Sequence, residues 1–155
     1  MADAIVDLFS EHHFRGPDSI GHLLTRARNL LAKSLDTELA GYDITHTQGS
    51  ILWLLSSGKY STATDLAREL YVDAASMTRM IDRLEKRKLT VRMPRGDDRR
   101  VINLRLTPSG HVLAEKMPSL YAVAMNRSFQ GYTADEVAVL RRLLGKLLGI
   151  VPLEQ

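Results

Sequence analysis

Arg92–Gly110 reads RMPRGDDRRVINLRLTPSG, gathering five arginines and two aspartates into a segment that ends in alternating apolar residues and Thr-Pro. Ile102, Leu104 and Leu106 alternate with Val101, Asn103 and Arg105, the period-two pattern of a strand. Val91 and Met93 alternate in the same way with Arg92 and Pro94, and the proline predicts an edge strand because it has no N–H for a ladder. Gly96, Asp97 and Asp98 supply turn chemistry between the two strands. Thr107 and Pro108 then open a helix as N-cap and first helical residue. The stretch is a predicted β-hairpin with an arginine-rich tip.

Just before the hairpin, two short helices are predicted. Thr62 caps ATDLAREL, whose Asp65 suits the positive end of a helix dipole, and Asp73 caps AASMTRMIDRLEKRK. Met77, Met80, Ile81 and Leu84 form the buried stripe of the second helix, leaving Ser76, Thr78, Arg79 and Arg83 wholly or partly outside. The short Tyr-Val-Asp turn makes this a helix-turn-helix, although the turn lacks the usual glycine. A helix-turn-helix followed by a basic hairpin is a winged helix.

Farther out, the chain is helical. From Ser19 to Ala40 the residues Ile20, Leu23, Leu24, Ala27, Leu30, Leu31, Leu35 and Leu39 recur at helical spacing, with Pro17 and Asp18 as start signal and Gly41 as stop. A short helix is expected ahead of it. In ITHTQGSILWLL, Thr45 and Gln48 form a capping box, and the helix ends near Gly58. After the hairpin one helix is predicted from Pro108 to about Phe129, kinked or broken by Pro118. Thr133 and Glu136 box the last helix, where Val137, Leu140, Leu143, Leu144, Leu147 and Leu148 cover more than one face. A helix so apolar predicts self-association.

The 155 residues fit one domain, 1–155, whose winged helix-turn-helix spans 45–106 between dimerisation helices at 18–41 and 108–150. The fold class is mainly α with one small β-hairpin. The chain has no cysteine, which removes disulfides, thiolate metal sites and thiol redox sensing and agrees with a cytoplasmic location. No run is long enough for a membrane span, and MADAIVDLFSEHHF lacks the basic start of a signal peptide. Between Ser76 and Arg105, ten basic residues face four acids; that window is +6, so the total of +3 leaves −3 for the rest. A basic segment on a slightly acidic body is the footprint of a polyanion binder, or else a solvated surface.

The order of elements and the segment DRRVINLRLT resemble the MarR family of winged-helix transcriptional regulators. The family's wing signature, Asp-x-Arg, five residues, then Leu-Thr, is met by Asp98, Arg100, Leu106 and Thr107. MTRMIDRLEKR is similar to its recognition helix, YTADEVAVLRRLLGKLL to its dimer-forming last helix and DITHTQGSILWLL to its second helix. The resemblance spans Ile20 to Leu148. It implies an obligate homodimer that binds double-stranded DNA at a pseudo-palindrome and represses transcription until a small aromatic ligand releases it. EHHFRGPDSIGHLLTRARN is also similar to regulators of nicotinate breakdown in the family, which implies a hydroxylated nicotinate or related heteroaromatic acid as effector.

Ser76, Thr78 and Arg79 would then meet base edges in the major groove, with Arg79 suited to a bidentate contact to guanine. The hydroxyls of Ser76 and Thr78 serve equally for hydrogen bonds within the helix terminus. Arg83 and Lys86 suit phosphate or solvent. Arg100 matches the family's wing arginine and, with Arg99 second, suits a narrow minor groove, while Arg95 suits phosphate. Asp98 is a scaffold residue that fixes an arginine or closes the turn. For an acidic ligand the candidates are His22 and Arg26, one helical turn apart, His46 and Trp53; ordinary core or surface roles compete for each. His12 and His13 are weaker candidates still. No metal-ligand spacing, cofactor motif or nucleophile–base arrangement is readable, so neither cofactor nor catalysis is expected. The rival reading is a winged helix used for protein interaction, which does not require a basic helix face and an arginine wing together.

Overall fold

A computed structural model describes residues 8–150; the predicted domain limits, and the N-terminal residues weighed against a signal peptide, extend partly outside this range. The expected short leading helix is a 3-10 turn at Glu11–Phe14, in which the His13 ring accepts from the Ser10 N–H at 2.9 Å. Helix α1 spans Ile20–Leu39, and a second 3-10 turn at Ala40–Tyr42 follows. Gly41 sits at the predicted stop, but the left-handed residue that turns the chain is Asp43, with φ 54°. Helices α2 (His46–Ser56), α3 (Ala63–Glu69) and α4 (Ala74–Lys86) come next. Strands β1 (Thr90–Pro94) and β2 (Ile102–Leu106) form the antiparallel hairpin. The described chain closes with α5 (Pro108–Ala114), α6 (Met117–Ser128) and α7 (Ala134–Leu147).

The caps explain most boundaries. Thr45, Thr62, Asp73, Thr107 and Thr133 each accept a hydrogen bond from the backbone N–H three residues on, satisfying a donor that the helix itself leaves orphaned. Both helices of the helix-turn-helix end in Schellman turns without glycine. Tyr71 (φ 52°) and Lys88 (φ 58°) take the left-handed position, while Val72 N–H reaches back to Ala67 and Leu89 N–H to Leu84. The predicted Pro108–Phe129 helix is broken rather than kinked. Pro118 lies in the first turn of α6, where its missing N–H has no helical partner to lose.

The core sits where α2 crosses the bundle. Leu39, Ile51, Leu52, Leu66, Met77, Ile81, Leu84 and Met117 are all but inaccessible to solvent; α2 buries most of its surface, leaving Trp53 and Ser56 exposed, while α4 buries one stripe. Helix α1 lies along α6, tied by Ser34 Oγ donating to the Ala124 carbonyl (3.3 Å) and by Arg127 to Glu38 (2.5 Å). Its other side is bare, with Ile20, Leu23 and Leu30 exposed. Helix α7 packs extensively against no other element, and Val137, Val139, Leu143, Leu147 and Leu148 are exposed.

The hairpin is paired Thr90↔Leu106, Arg92↔Leu104 and Pro94↔Ile102. Ile102, Leu104 and Leu106 share one face, as their alternation predicts, with Leu104 buried, Leu106 half-buried and Ile102 exposed toward the tip. On β1 the apolar residues face the other way. Val91 and Met93 are exposed, while Thr90 and Arg92 turn inward. Two acids on α4 account for this reversal, as described below.

Candidate nucleic-acid interface

Helix α4 projects its polar face from the body, and the hairpin stands beside it. At the start of α4, Asp73 accepts from Ser76 N–H (2.8 Å), and Arg79 donates to Ser76 Oγ (2.8 Å). The Ser76 hydrogen bonds, with a smaller contribution from Arg79, hold the Asp73 carboxyl below the usual carboxylate range. Thr78 Oγ1 donates to the Ala74 carbonyl at 2.9 Å. Both hydroxyls therefore make the local hydrogen bonds that competed with base contact in the sequence, and Ser76 braces Arg79. Arg79 and Arg83 are exposed, with no acid in salt-bridge range among the described residues.

The basic residues around them divide by partner. Arg87 donates to the carbonyls of Asp43 and of Tyr42 (2.9 Å), tying the end of α4 to the turn after α1. Arg83, Lys86 and Arg87 line an open cleft of about 420 Å³ beside the N-terminus of α2. Arg92 ion-pairs with Asp82 (2.7 Å) and Glu85, and these carboxylates, Asp82 first, push its pKa above the ordinary arginine value. Arg95 is held by Asp97 at 2.7 Å. In the turn Asp98 accepts the Arg100 N–H (2.9 Å) and Val101 N–H reaches the Asp98 carbonyl, so Asp98 closes the hairpin. Arg99 and Arg100 remain exposed at the tip and without an ion pair among the described residues.

The base of the wing explains its Thr-Pro-Ser-Gly ending. Thr107 N–H donates to the Leu89 carbonyl (3.1 Å), and its hydroxyl donates to the Lys88 carbonyl (2.6 Å). Gly110 sits so close that a Cβ there would lie 2.0 Å from Leu89 O. Nothing in the sequence around Gly110 signals that it touches backbone from another element.

A second cavity, about 600 Å³ and mainly apolar, lies under α1 between the ends of α2, α3 and α7. Leu24, Leu31 and Leu35 line it from α1, Leu70 and Val72 from the end of α3, and Leu144, Leu147 and Leu148 from α7. Its polar lining includes Arg28, His46, Thr47, Ser50 and Glu69. His46 is held by Asp36, which accepts both its backbone N–H (2.6 Å) and its ring Nδ1–H (3.1 Å). Of the four candidates for an acidic ligand only His46 lines this cavity. His22 and Arg26 are exposed on α1, where Arg28 takes the lining position, and Trp53 stacks edge-on against Tyr121 with ring centres 6.4 Å apart. Burial pushes the Tyr121 phenol up, and its hydroxyl lies 3.4 Å from Ser50 Oγ, a contact from the cavity wall to α6. Among the described residues no cluster of His, Asp and Glu has the geometry of a metal site, and no helix is long and apolar enough to cross a membrane.

A winged helix with a bare basic recognition face is shared by many DNA-binding proteins, and the comparison with known sequences narrows the choice. The sequence profile of the MarR family matches residues 44–102. The multiple antibiotic resistance protein MarR of Salmonella typhimurium is 32% identical over 130 residues, covering 83% of this chain and 90% of that protein. The chain belongs to the MarR family. Among solved structures, a MarR variant from E. coli in complex with operator DNA superposes with a TM-score of 0.74 at 30% identity, covering 83% of this chain and 92% of that one. BpsR of Bordetella bronchiseptica, whose DNA binding is regulated by 6-hydroxynicotinic acid, superposes with a TM-score of 0.75 at 25% identity, over 85% and 94% of the two chains. As in those MarR-family structures, a mostly helical body carries one two-stranded wing.

Proposed function

We propose that this MarR-family chain works as a homodimeric transcriptional repressor that reads a pseudo-palindromic operator and leaves it when a small aromatic carboxylate binds. One observation carries the DNA reading. The exposed face of α4, with Arg79 braced by Ser76, and Arg99 and Arg100 at the wing tip, without an ion pair among the described residues, offer cations on two separate projections. Arg79 contacts base edges in the major groove, with Thr78 beside it. Ser76 acts through Arg79. Arg100, then Arg99, enters the minor groove, and Arg83 and Arg95 lie along the phosphates.

The effector site is the cavity beneath α1. Its apolar walls suit an aromatic ring, the Arg28 guanidinium suits a carboxylate, and His46, held by Asp36, lines the same wall. A hydroxylated nicotinate, the ligand class of the BpsR relative, is the first compound to test. Because α1 and α7 wall the cavity on one side and α2 and α3 on the other, a ligand there shifts the DNA-reading half against the dimerisation helices.

Gel-shift titration over several salt concentrations tests the reading. Arg79→Ala should weaken binding at cognate sites selectively, by about 1–3 kcal/mol. Arg100→Ala should weaken all sites and lower the log–log salt slope by about 1 for each phosphate's worth of charge removed. If neither variant changes affinity, α4 and the wing do not read DNA.

A further inference from the structure

Arg92 is the innermost of the five hairpin arginines, and its ion pairs draw it against α4. We infer that Arg92 is a positioning residue that sets the angle between wing and recognition helix by clamping β1 to Asp82 and Glu85 of α4. The inference rests on the proposed duplex-reading function, but its geometry stands apart from it.

Glu85 holds Arg92 twice. One carboxylate oxygen accepts the Arg92 backbone N–H (3.2 Å), and the other accepts from the guanidinium. The second guanidinium nitrogen reaches Asp82 at 2.7 Å, one turn earlier on α4. Arg92 N–H lies on the open edge of the two-stranded sheet, so Glu85 serves that edge as a third strand otherwise would. The other edge is held by Leu104 N–H donating to Ser61 O at 2.7 Å. Beyond Arg92, the hydrogen bonds of the wing among the described residues run within the wing itself, as in Arg95 N–H to Val101 O. Arg92 is therefore the last point on β1 fastened to the body.

That position acts as a fulcrum. Asp97 lies five residues beyond Arg92, at most about 16 Å at the rise of a strand. A swing of about 10° there moves the tip by up to about 3 Å, half the roughly 6 Å width of a minor groove. Arg100 is placed or misplaced by this angle. The clamp also offsets the charge of two acids on a helix that approaches phosphates, and the test separates the two effects.

The whole chain is compared with Arg92→Met and with the double variant Asp82→Asn plus Glu85→Gln. The wing angle is read with spin labels at Gly96→Cys and Ser109→Cys, in labelled subunits diluted with unlabelled protein; the cysteine-free sequence makes the labelling specific. DNA preference is read by selection from operators with randomised centre and flanks. The clamp predicts a broadened label distance in both variants. In Arg92→Met it also predicts about tenfold weaker binding, a salt slope lower by about 2 per dimer and a flattened flank preference, while the centre read by α4 is kept. Unchanged label distances in Arg92→Met overturn the inference. So does tighter binding by the double variant with unchanged distances, the signature of charge alone, or equal loss of centre and flank preference. If the wild-type chain selects no DNA, the proposed function fails while the label distances still decide the clamp.

Discussion

Gly110 is where one atom decides the joint between wing and body. Its missing Cβ lets α5 start against the Leu89 carbonyl, and any side chain would have to push backbone apart. Gly110→Ala should lower stability by about 3 kcal/mol, read by denaturant unfolding, since overpacking against backbone finds no flexible neighbour to yield. Thr90 is the opposite case. Its Oγ1 is buried without a hydrogen-bond partner among the described residues, so Thr90→Val should raise stability by about 1 kcal/mol in the same assay. Neither residue stands out in the sequence, because both depend on what arrives from elsewhere in the chain. Arg92 teaches the same lesson. Alternation along β1 set the apolar residues apart from Arg92 and Pro94, but the acids one turn apart on α4 draw the arginine inward and leave Val91 and Met93 outside.

Elements were far more legible than single contacts, and the reason is capping. Thr45, Thr62, Asp73, Thr107 and Thr133 each bond within three residues, so the information is local and survives without tertiary context. The ligand candidates were less legible for the matching reason: of the four, His46 lines the cavity beneath α1. His22 and Arg26 share a face of α1 with each other, but which face meets the cavity depends on how α2, α3 and α7 approach, and Arg28 is the arginine that lines it. At the start of α4 the cap has a pH signature. Asp73 is held below its ordinary pKa by Ser76, so its contribution is complete above the unfolded value near 3.8 and is lost as pH falls through the lower folded value. Asp73→Asn should therefore be less stable than wild type near neutral pH, with the gap closing below about pH 4 as the wild-type carboxyl protonates. Paired thermal melts across that range check the sign.

At the scale of the whole molecule, apolar residues of both α1 and α7 stay exposed, Ile20, Leu23 and Leu30 on one and Val137, Val139, Leu143 and Leu147 on the other. Assembly through them makes stability depend on subunit concentration. Thermal midpoints should rise with protein concentration, and sedimentation at micromolar concentration should find dimers; a monomer of unchanged midpoint would leave α7 without a place to pack. In the dimer the two recognition helices should lie about 34–36 Å apart, one turn of duplex, which solution scattering of the operator complex can check.

The two bare helices also lie on opposite sides of the winged helix along the chain, α1 before it and α7 after it. During synthesis the winged helix is made before α7. The Schellman turns, caps and Arg92 contacts that shape it are all made between α2 and α5, so its local structure does not depend on α7. The proposed pairing through α7 must wait until that helix has been made. A nascent subunit would thus reach the order of folding first and partnership second by the direction of translation alone.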